Sequence, residues 1–340
     1  MAPTDEAAVR PHWNSLSPAK VKCLLALAAV VAATATCTSQ ATRVVPPCDA
    51  SANLPSSVTT ASTVKIVAVG DVADCSGGQQ MQVAALVDRL QPDAVLALGD
   101  LAYPNGSIDD FLDCYAPAFG RFRTMTRAVP GNHEYHTPHA GAYYTYFCGS
   151  SGTPFQGYYS FELGRWHVVA LNSNCGGDLD VPAEVSTEFG GCGPDSPQAR
   201  WLRDDLAAHP KGCTLAMWHH PRHSSSSEGS SLAMQPLWEI LSARGVDLVL
   251  NGHAHAYERF GPLDAHAKPD DARGIRAIIV GTGGSGLSSF DGDAPLRGDV
   301  RDATSHGVLH LELAPSSYRW TFEPIEGDTF HDEGSAPCHG

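Results

Sequence analysis

The sequence predicts an α/β domain built in layers, with mixed sheets. Three observations lead there. Short apolar runs alternate with segments of helical period, the signature of βαβ units and parallel strands. Two further segments alternate apolar with polar residues and turn tightly, so antiparallel hairpins join the parallel strands. The chain has 340 residues, 43% of them hydrophobic, with Gly and Pro spread along it rather than in repeats, which is enough to bury a large core.

In chain order, residues 1–36 read as an export segment. Lys20 and Lys22 precede the run "CLLALAAVVAATATC", Cys23 to Cys37. Its apolar stretch of about 13 residues suits a signal-peptide core and falls short of a membrane span. Cys37 is an alternative lipid-anchor point, although Thr34-Ala35-Thr36 before it lack the usual Leu. Residues 37–63, rich in Ser, Thr, Ala and Pro without periodicity, read as a linker.

The folded domain is expected over 64–326, followed by a tail at 327–340. "VKIVAVGD" (64–71) is a buried strand, "GQQMQVAALVDRLQP" an amphipathic helix, and "DAVLALGD" (93–100) the next strand. "RAVPGNHE" (127–134) is a short run ending in polar groups. "YYSFELGRWHVVALN" (158–172) reads as a hairpin turning at Gly164-Arg165. "SPQARWLRDDLAAHP" opens a helix with Ser196 as N-cap and Pro197 at the first helical position. "CTLAMWHHP" (213–221) is a strand, and "SLAMQPLWEILSARG" a helix closed by Gly245. "VDLVLNGHAHAYER" (246–259), "IRAIIVGTGG" and the hairpin "VLHLELAPSSYRWTFEP" supply the late strands.

Charge and cysteine content narrow the function. There are 37 acidic against 22 basic residues, a net charge of −15, and no basic cluster. Nucleic-acid binding needs the opposite sign. Ten cysteines fit an oxidising compartment; if Cys23 and Cys37 leave with the export segment, eight remain for disulfides. Cys175 with Cys192, bracketing a Gly-rich loop, and Cys75 with Cys114, bracketing one βα unit, are the preferred pairs. No C-x-x-C spacing points to a zinc knuckle.

The ends of the apolar runs carry the chemistry. They close in Gly70-Asp71, Gly99-Asp100, Gly131-Asn132-His133, His219-His220 and Gly252-His253-Ala254-His255. In parallel α/β sheets the carboxyl ends of strands share one edge, where sites form. Each piece alone reads as a turn, a cap or a satisfied histidine; five in one register point to convergence. Strand alternation would set His253 and His255 on the same side. Asp71, Asp100, Asn132, His219, His253 and His255 are too many donors for one tetrahedral zinc. They suit two metals sharing a carboxylate, the arrangement used for displacement at phosphorus. Tyr103, in "GDLAY", adds a phenolic oxygen.

The ordered set "GDVAD", "GDLAY", "GNHE", "WHHP" and "GHAHAYER" resembles the metallophosphoesterase (calcineurin-like) superfamily, and within it the purple acid phosphatases. The resemblance covers residues 64 to about 325. It implies a four-layer α-β-β-α sandwich with two mixed sheets. Carried over residue by residue, it implies Fe(III) at Asp71, Asp100, Tyr103 and His255, and a divalent metal (Fe, Zn or Mn) at Asp100, Asn132, His219 and His253. Asp100 bridges. His133 would face the phosphate and assist the leaving oxygen. Ala73 stands where relatives outside this branch carry a metal-binding His. The extra substrate histidines of plant members have no clear match; His220 and His223 are candidates. The N-terminal β domain of plant members has no counterpart in residues 37–63.

The resemblance implies a hydrolase of small phosphate monoesters that uses a hydroxide generated by the metal pair, and the export segment with the cysteines implies that it is secreted. A phosphodiesterase or nucleotidase on the same centre is the alternative. "GTGGSG" (281–286) fits a dinucleotide fingerprint but lacks a following helical period, so it reads as a loop near the site. "NGS" at Asn105 is a glycosylation sequon if the host glycosylates.

Overall fold

Unbroken burial marks the strand that begins at Val64: its residues are inaccessible except Lys65. A strand covered on both faces belongs inside a layered structure. A computed structural model describes residues 61–175, 189–210 and 212–339, together with Val45, Leu54, the one-turn helix Ser56–Thr59 and Val185. The export segment expected at 1–36, with Cys37, lies outside the described residues, as does most of the linker.

Two mixed sheets form the centre. The first contains β1 (Val64–Val69), β3 (Ala94–Ala97), β5 (Thr126–Ala128), β13 (Gly307–Ala314), β14 (Ser317–Pro324) and β15 (Glu333–Pro337), in the order β15-β14-β13-β1-β3-β5. β1, β3 and β5 run parallel, and β13 pairs with β1 antiparallel. The second contains β6 (Tyr159–Leu163), β7 (Trp166–Ala170), β8 (Thr214–Met217), β9 (Leu248–Asn251), β10 (Tyr257–Arg259), β11 (Arg276–Val280) and β12 (Val300–Asp302), in the order β12-β10-β11-β9-β8-β7-β6. There β7, β8, β9 and β11 are parallel. A minor parallel pair, β2 (Ala73–Asp74) with β4 (Ala102–Tyr103), sits beyond the ends of β1 and β3.

Alternation along the strands builds two cores. Ile66, Ala68, Leu96 and Leu98 of the first sheet meet Val168, Leu215, Met217, Leu248, Leu250 and Ile278 of the second in one apolar cluster. Val67, Val69 and Val95 face outward with Val83, Leu86 and Val87 of helix α1 (Gln80–Leu90). Val169, Ala216 and Val249 likewise share a cluster with helical side chains. Helix α2 (Gly141–Phe147) contributes aromatics to it. Helix α3 (Pro197–Ala208) contributes Leu202 and Leu206, and α4 (Gln235–Ala243) contributes Leu237, Trp238 and Leu241. Each such large side chain contributes roughly 1.5–3 kcal/mol on burial. The order helix, sheet, sheet, helix is the expected four-layer sandwich.

The local signals act as their chemistry dictates. Ser196 Oγ accepts the Ala199 N–H at 3.1 Å and Pro197 opens α3. Gly245 follows α4 with φ of 70°.

Two boundaries differ from expectation. Leu54 and Val58 are buried, and Val58 O accepts the Gly164 N–H at 3.1 Å, so part of the linker packs on the domain. The segment 327–340 carries β15, the edge strand beside β14, and Cys338 is bonded to Cys213. A strand of Glu-Gly-Ser-Ala-Pro has no apolar period to betray it. The expected pairs Cys75–Cys114 and Cys175–Cys192 are also bonded.

Candidate metal centre

The donors leave their strands where the backbone departs from extended geometry. Asp71, Asp100 and His253 have φ of 58°, 50° and 68°. That left-handed conformation costs a side-chain-bearing residue about 1–3 kcal/mol and concentrates at functional sites. Two glycines let the strand ends approach. A Cβ at Gly131 would collide with the Asp100 carboxylate, and one at Gly252 would lie 2.8 Å from both Asp71 Oδ2 and Leu98 O.

The seven donors meet in two groups that share Asp100. In the first, Tyr103 Oη donates to Asp71 Oδ1 at 3.0 Å and lies 3.3 Å from Asp100 Oδ2 and 3.0 Å from His255 Nε2. His255 Nε2 is 3.3 Å from Asp71 Oδ1. In the second, His219 Nε2 is 3.2 Å from Asp100 Oδ2 and 3.1 Å from Asn132 Oδ1. His253 stacks edge-on to His219, ring centroids 5.1 Å apart. Asp71, Asp100 and His219 offer ligand atoms within 4.8 Å of one another, as do His219, His220 and His253.

His253 and His255 do not share a side by strand alternation. β9 ends at Asn251, and the left-handed turn at His253 aims its ring at His219 and His220 while His255 faces Tyr103. The pair serves the two groups separately.

Backbone carbonyls fix the imidazoles. His219 Nδ1–H donates to Leu98 O at 2.8 Å and His255 Nδ1–H to Gly286 O at 2.5 Å, so each turns Nε2 to the centre. Gly286 belongs to the 281–286 loop, which continues without a helix and wraps the site through Ser285 N–H to Asp71 O at 3.1 Å. His133 Nδ1–H donates to Pro104 O at 2.6 Å, its backbone N–H donates to Asp100 Oδ1 at 2.9 Å, and its Nε2 lies 3.8 Å from Asp100 Oδ2 at the exposed rim.

Two parts of the site had no reading from sequence. Glu134 is inaccessible and gathers three backbone N–H groups: Gly131 at 2.7 Å, Asp100 at 2.9 Å and Leu101 at 2.9 Å. It ties the end of β3 to the end of β5, and its place in "GNHE" was the available signal. Beyond β7, Asn172, Ser173 and Asn174 form a sixth polar strand end. Asn174 Nδ2 donates to Pro130 O at 3.1 Å, and Ser173 Oγ lies 2.9 Å from His220 Nδ1. The run "VVALNSN" announces it.

The two further histidines part company. His220 is buried among the donors, its ring 4.5 Å from that of His253 and 4.8 Å from that of His219. His223 instead packs 4.9 Å from Trp238 and 6.4 Å from Phe260, the former a residue of α4. The structure does not bring it to the donor set, since the four residues after His219 already carry the chain away.

The protonation of these groups is set by burial and by the charges they present to one another. Burial alone would raise the Asp100 carboxyl, yet His219 and His133 hold it far below the usual range. Burial, then Asp71 and Asp100, push the Tyr103 phenol well above its usual value. Burial lowers His255, but Asp71 overrides it and lifts the imidazole to about 9. Burial and His219 push His253 down to about 4. Burial, then Asp100, raise Glu134 to about 7 against its N–H donors. With Nδ1 protonated, His219 Nε2 can face Asp100 Oδ2 and Asn132 Oδ1 only as an imidazolium or around a cation. The residues present therefore fit two cations, which would reverse the proton preferences of this cluster.

A profile of the calcineurin-like phosphoesterase family matches residues 64–257, more than half of the chain. The chain belongs to that family. The chain is 29% identical over 231 residues to purple acid phosphatase 15 of Arabidopsis thaliana, across 57% of the chain and 40% of the relative. It is 26% identical over 262 residues to purple acid phosphatase 23 of the same plant, across 65% of the chain and 52% of that relative. The chain thus spans about half the length of these relatives, and they bear out its resemblance to purple acid phosphatases. The structure of purple acid phosphatase PPD1 from yellow lupin seeds shares the fold: TM-score 0.66 at 16% identity, over 82% of this chain and 55% of that one.

Proposed function

We propose that the protein is a binuclear metal-dependent phosphatase that hydrolyses phosphate monoesters outside the cytoplasm. The observation that carries this reading is the double donor set sharing Asp100, with His133 at its open rim. Asp71, Asp100, Tyr103 and His255 would hold Fe(III). Asp100, Asn132, His219 and His253 would hold a divalent ion: Fe, Zn or Mn. A bound cation pair supplies a nucleophilic water of lowered pKa and neutralises phosphate charge.

The chain's own groups supply the rest. The Pro104 carbonyl holds His133 by Nδ1, so that Nε2 faces the space beside Asp100, where a phosphate ester would enter. Protonated there, Nε2 donates to the departing alkoxide oxygen, and a charged imidazole offsets the equatorial oxygens. Glu134 positions the Asp100 and Leu101 backbone and so fixes the shared carboxylate. Cysteines bonded in pairs support an oxidising location, and no described helix is long and apolar enough to cross a membrane.

The test is metal analysis with a visible spectrum, followed by turnover of p-nitrophenyl phosphate against bis(p-nitrophenyl) phosphate. Two ions per chain, an iron–tyrosinate band and monoester preference are expected. Asp100→Ala should lose metal and activity together. His133→Ala should keep metal and slow turnover by about 10²–10⁴. Faster diester turnover moves the substrate class to phosphodiesters; full activity in both variants overturns the site.

A further inference from the structure

His220 lies outside the seven donors, yet it is buried like Asp71, Asp100 and His219. Ser173 Oγ accepts its backbone N–H at 2.9 Å and lies 2.9 Å from its Nδ1. With Ser173 accepting from Nδ1–H as well, the ring presents a bare lone pair at Nε2. That nitrogen is enclosed and has no hydrogen-bond partner among the described residues. A buried polar atom without a partner is costly unless a ligand completes it. One ring nitrogen from each of His219, His220 and His253 lies within 4.8 Å of the other two, the spacing of donors around one ion. The "WHHP" string places two imidazoles side by side beyond β8, and Ser173 beyond β7 turns the second inward.

We propose that His220 Nε2 is a direct ligand of the divalent ion, a third imidazole beside His219 and His253. The inference rests on the binuclear reading above and deepens it. Three neutral imidazoles favour zinc over manganese, which prefers oxygen donors. Ser173 is then a positioning residue that sets the tautomer of His220.

The experiment uses the full chain, depleted by chelation and reloaded with iron. Zinc and manganese are then titrated against a chromophoric chelator, with bound metal counted by mass spectrometry. In wild type, two ions per chain are expected. In His220→Ala and His220→Gln the zinc affinity of the divalent step should fall about 10- to 100-fold. Manganese affinity should fall less, with the iron–tyrosinate band retained. X-ray absorption at the zinc edge of wild type should count three imidazoles at that ion, a readout that holds even if both variants misfold. Unchanged zinc affinity with only a raised KM makes His220 a substrate contact and overturns the inference. Two imidazoles at the zinc edge does the same. Failure of wild type to take up two ions overturns the binuclear reading, and this inference with it.

Discussion

Glu134 shows what a single buried carboxylate can arrange. Three N–H groups from two strand ends converge on its two oxygens, so it sets the spacing between Asp100 and Gly131. Replacing it by Gln puts an amide N–H₂ where donors already point. Glu134→Gln should therefore destabilise the protein by about 2–4 kcal/mol, read as a lower urea midpoint. At this scale the sequence was legible where a residue had one job at a strand end. Asp71, Asp100, Asn132, His219, His253 and His255 stood out by position after an apolar run, and Tyr103 only through its place three residues beyond Asp100. Glu134 did not, because a carboxylate that binds backbone leaves no period and no spacing. The relation between His253 and His255 was misjudged for a related reason: alternation holds only inside a strand, and φ of 68° at His253 breaks it.

The hairpin β6–β7 carries a charge device of its own. His167 on β7 places Nδ1 2.8 Å from Glu162 Oε1 on β6 and Nε2 2.7 Å from Asp205 Oδ2 on α3. Burial lowers its pKa, but the two carboxylates outweigh burial and lift it to about 9. The folded value lies above the unfolded one of 6.5. Its contribution to stability is thus complete below about pH 6.5 and disappears as pH rises through 9. Wild type should exceed His167→Gln by about 1–3 kcal/mol at pH 6, and the difference should close by about pH 10 in matched urea titrations. The long periodic elements, such as α1 and the β13–β14 hairpin, could be read from their periods. β12 and β15 could not, since short strands with partly exposed faces show no pattern, and β10, buried but three residues long, is too short to show one. Helix α2 hid likewise, since seven residues are too few to repeat the spacing of its buried Tyr143, Tyr144, Tyr146 and Phe147.

Across the whole molecule, the Cys213–Cys338 bond joins the start of β8 in the second sheet to the chain beyond β15 in the first. It closes 125 residues, against 17 for Cys175–Cys192. On chain-entropy grounds these correspond to about 5 and about 3 kcal/mol. Cys338→Ser should consequently lower the melting temperature more than Cys175→Ser, as calorimetry would show; equal losses would mean that local native contacts decide. The layered α/β plan with mixed sheets could be anticipated from alternating runs, and the four-layer order from the family resemblance. This staple could not, because its two cysteines flank different sheets and share no loop.

Donors at the rim come from opposite halves of the sandwich: Asp71, Asp100 and Asn132 follow strands of one sheet, while His219, His253 and His255 follow strands of the other. Their mutual spacing is therefore set by the thickness of the apolar filling between the sheets. Ile66, Leu215 and Ile278, each in mid-strand, belong to that filling. Trimming one of them by a methylene would let the halves settle closer and misalign the rim by a fraction of an ångström. A well-folded chain would then carry a lesion whose origin lies among greasy side chains far from any reacting atom.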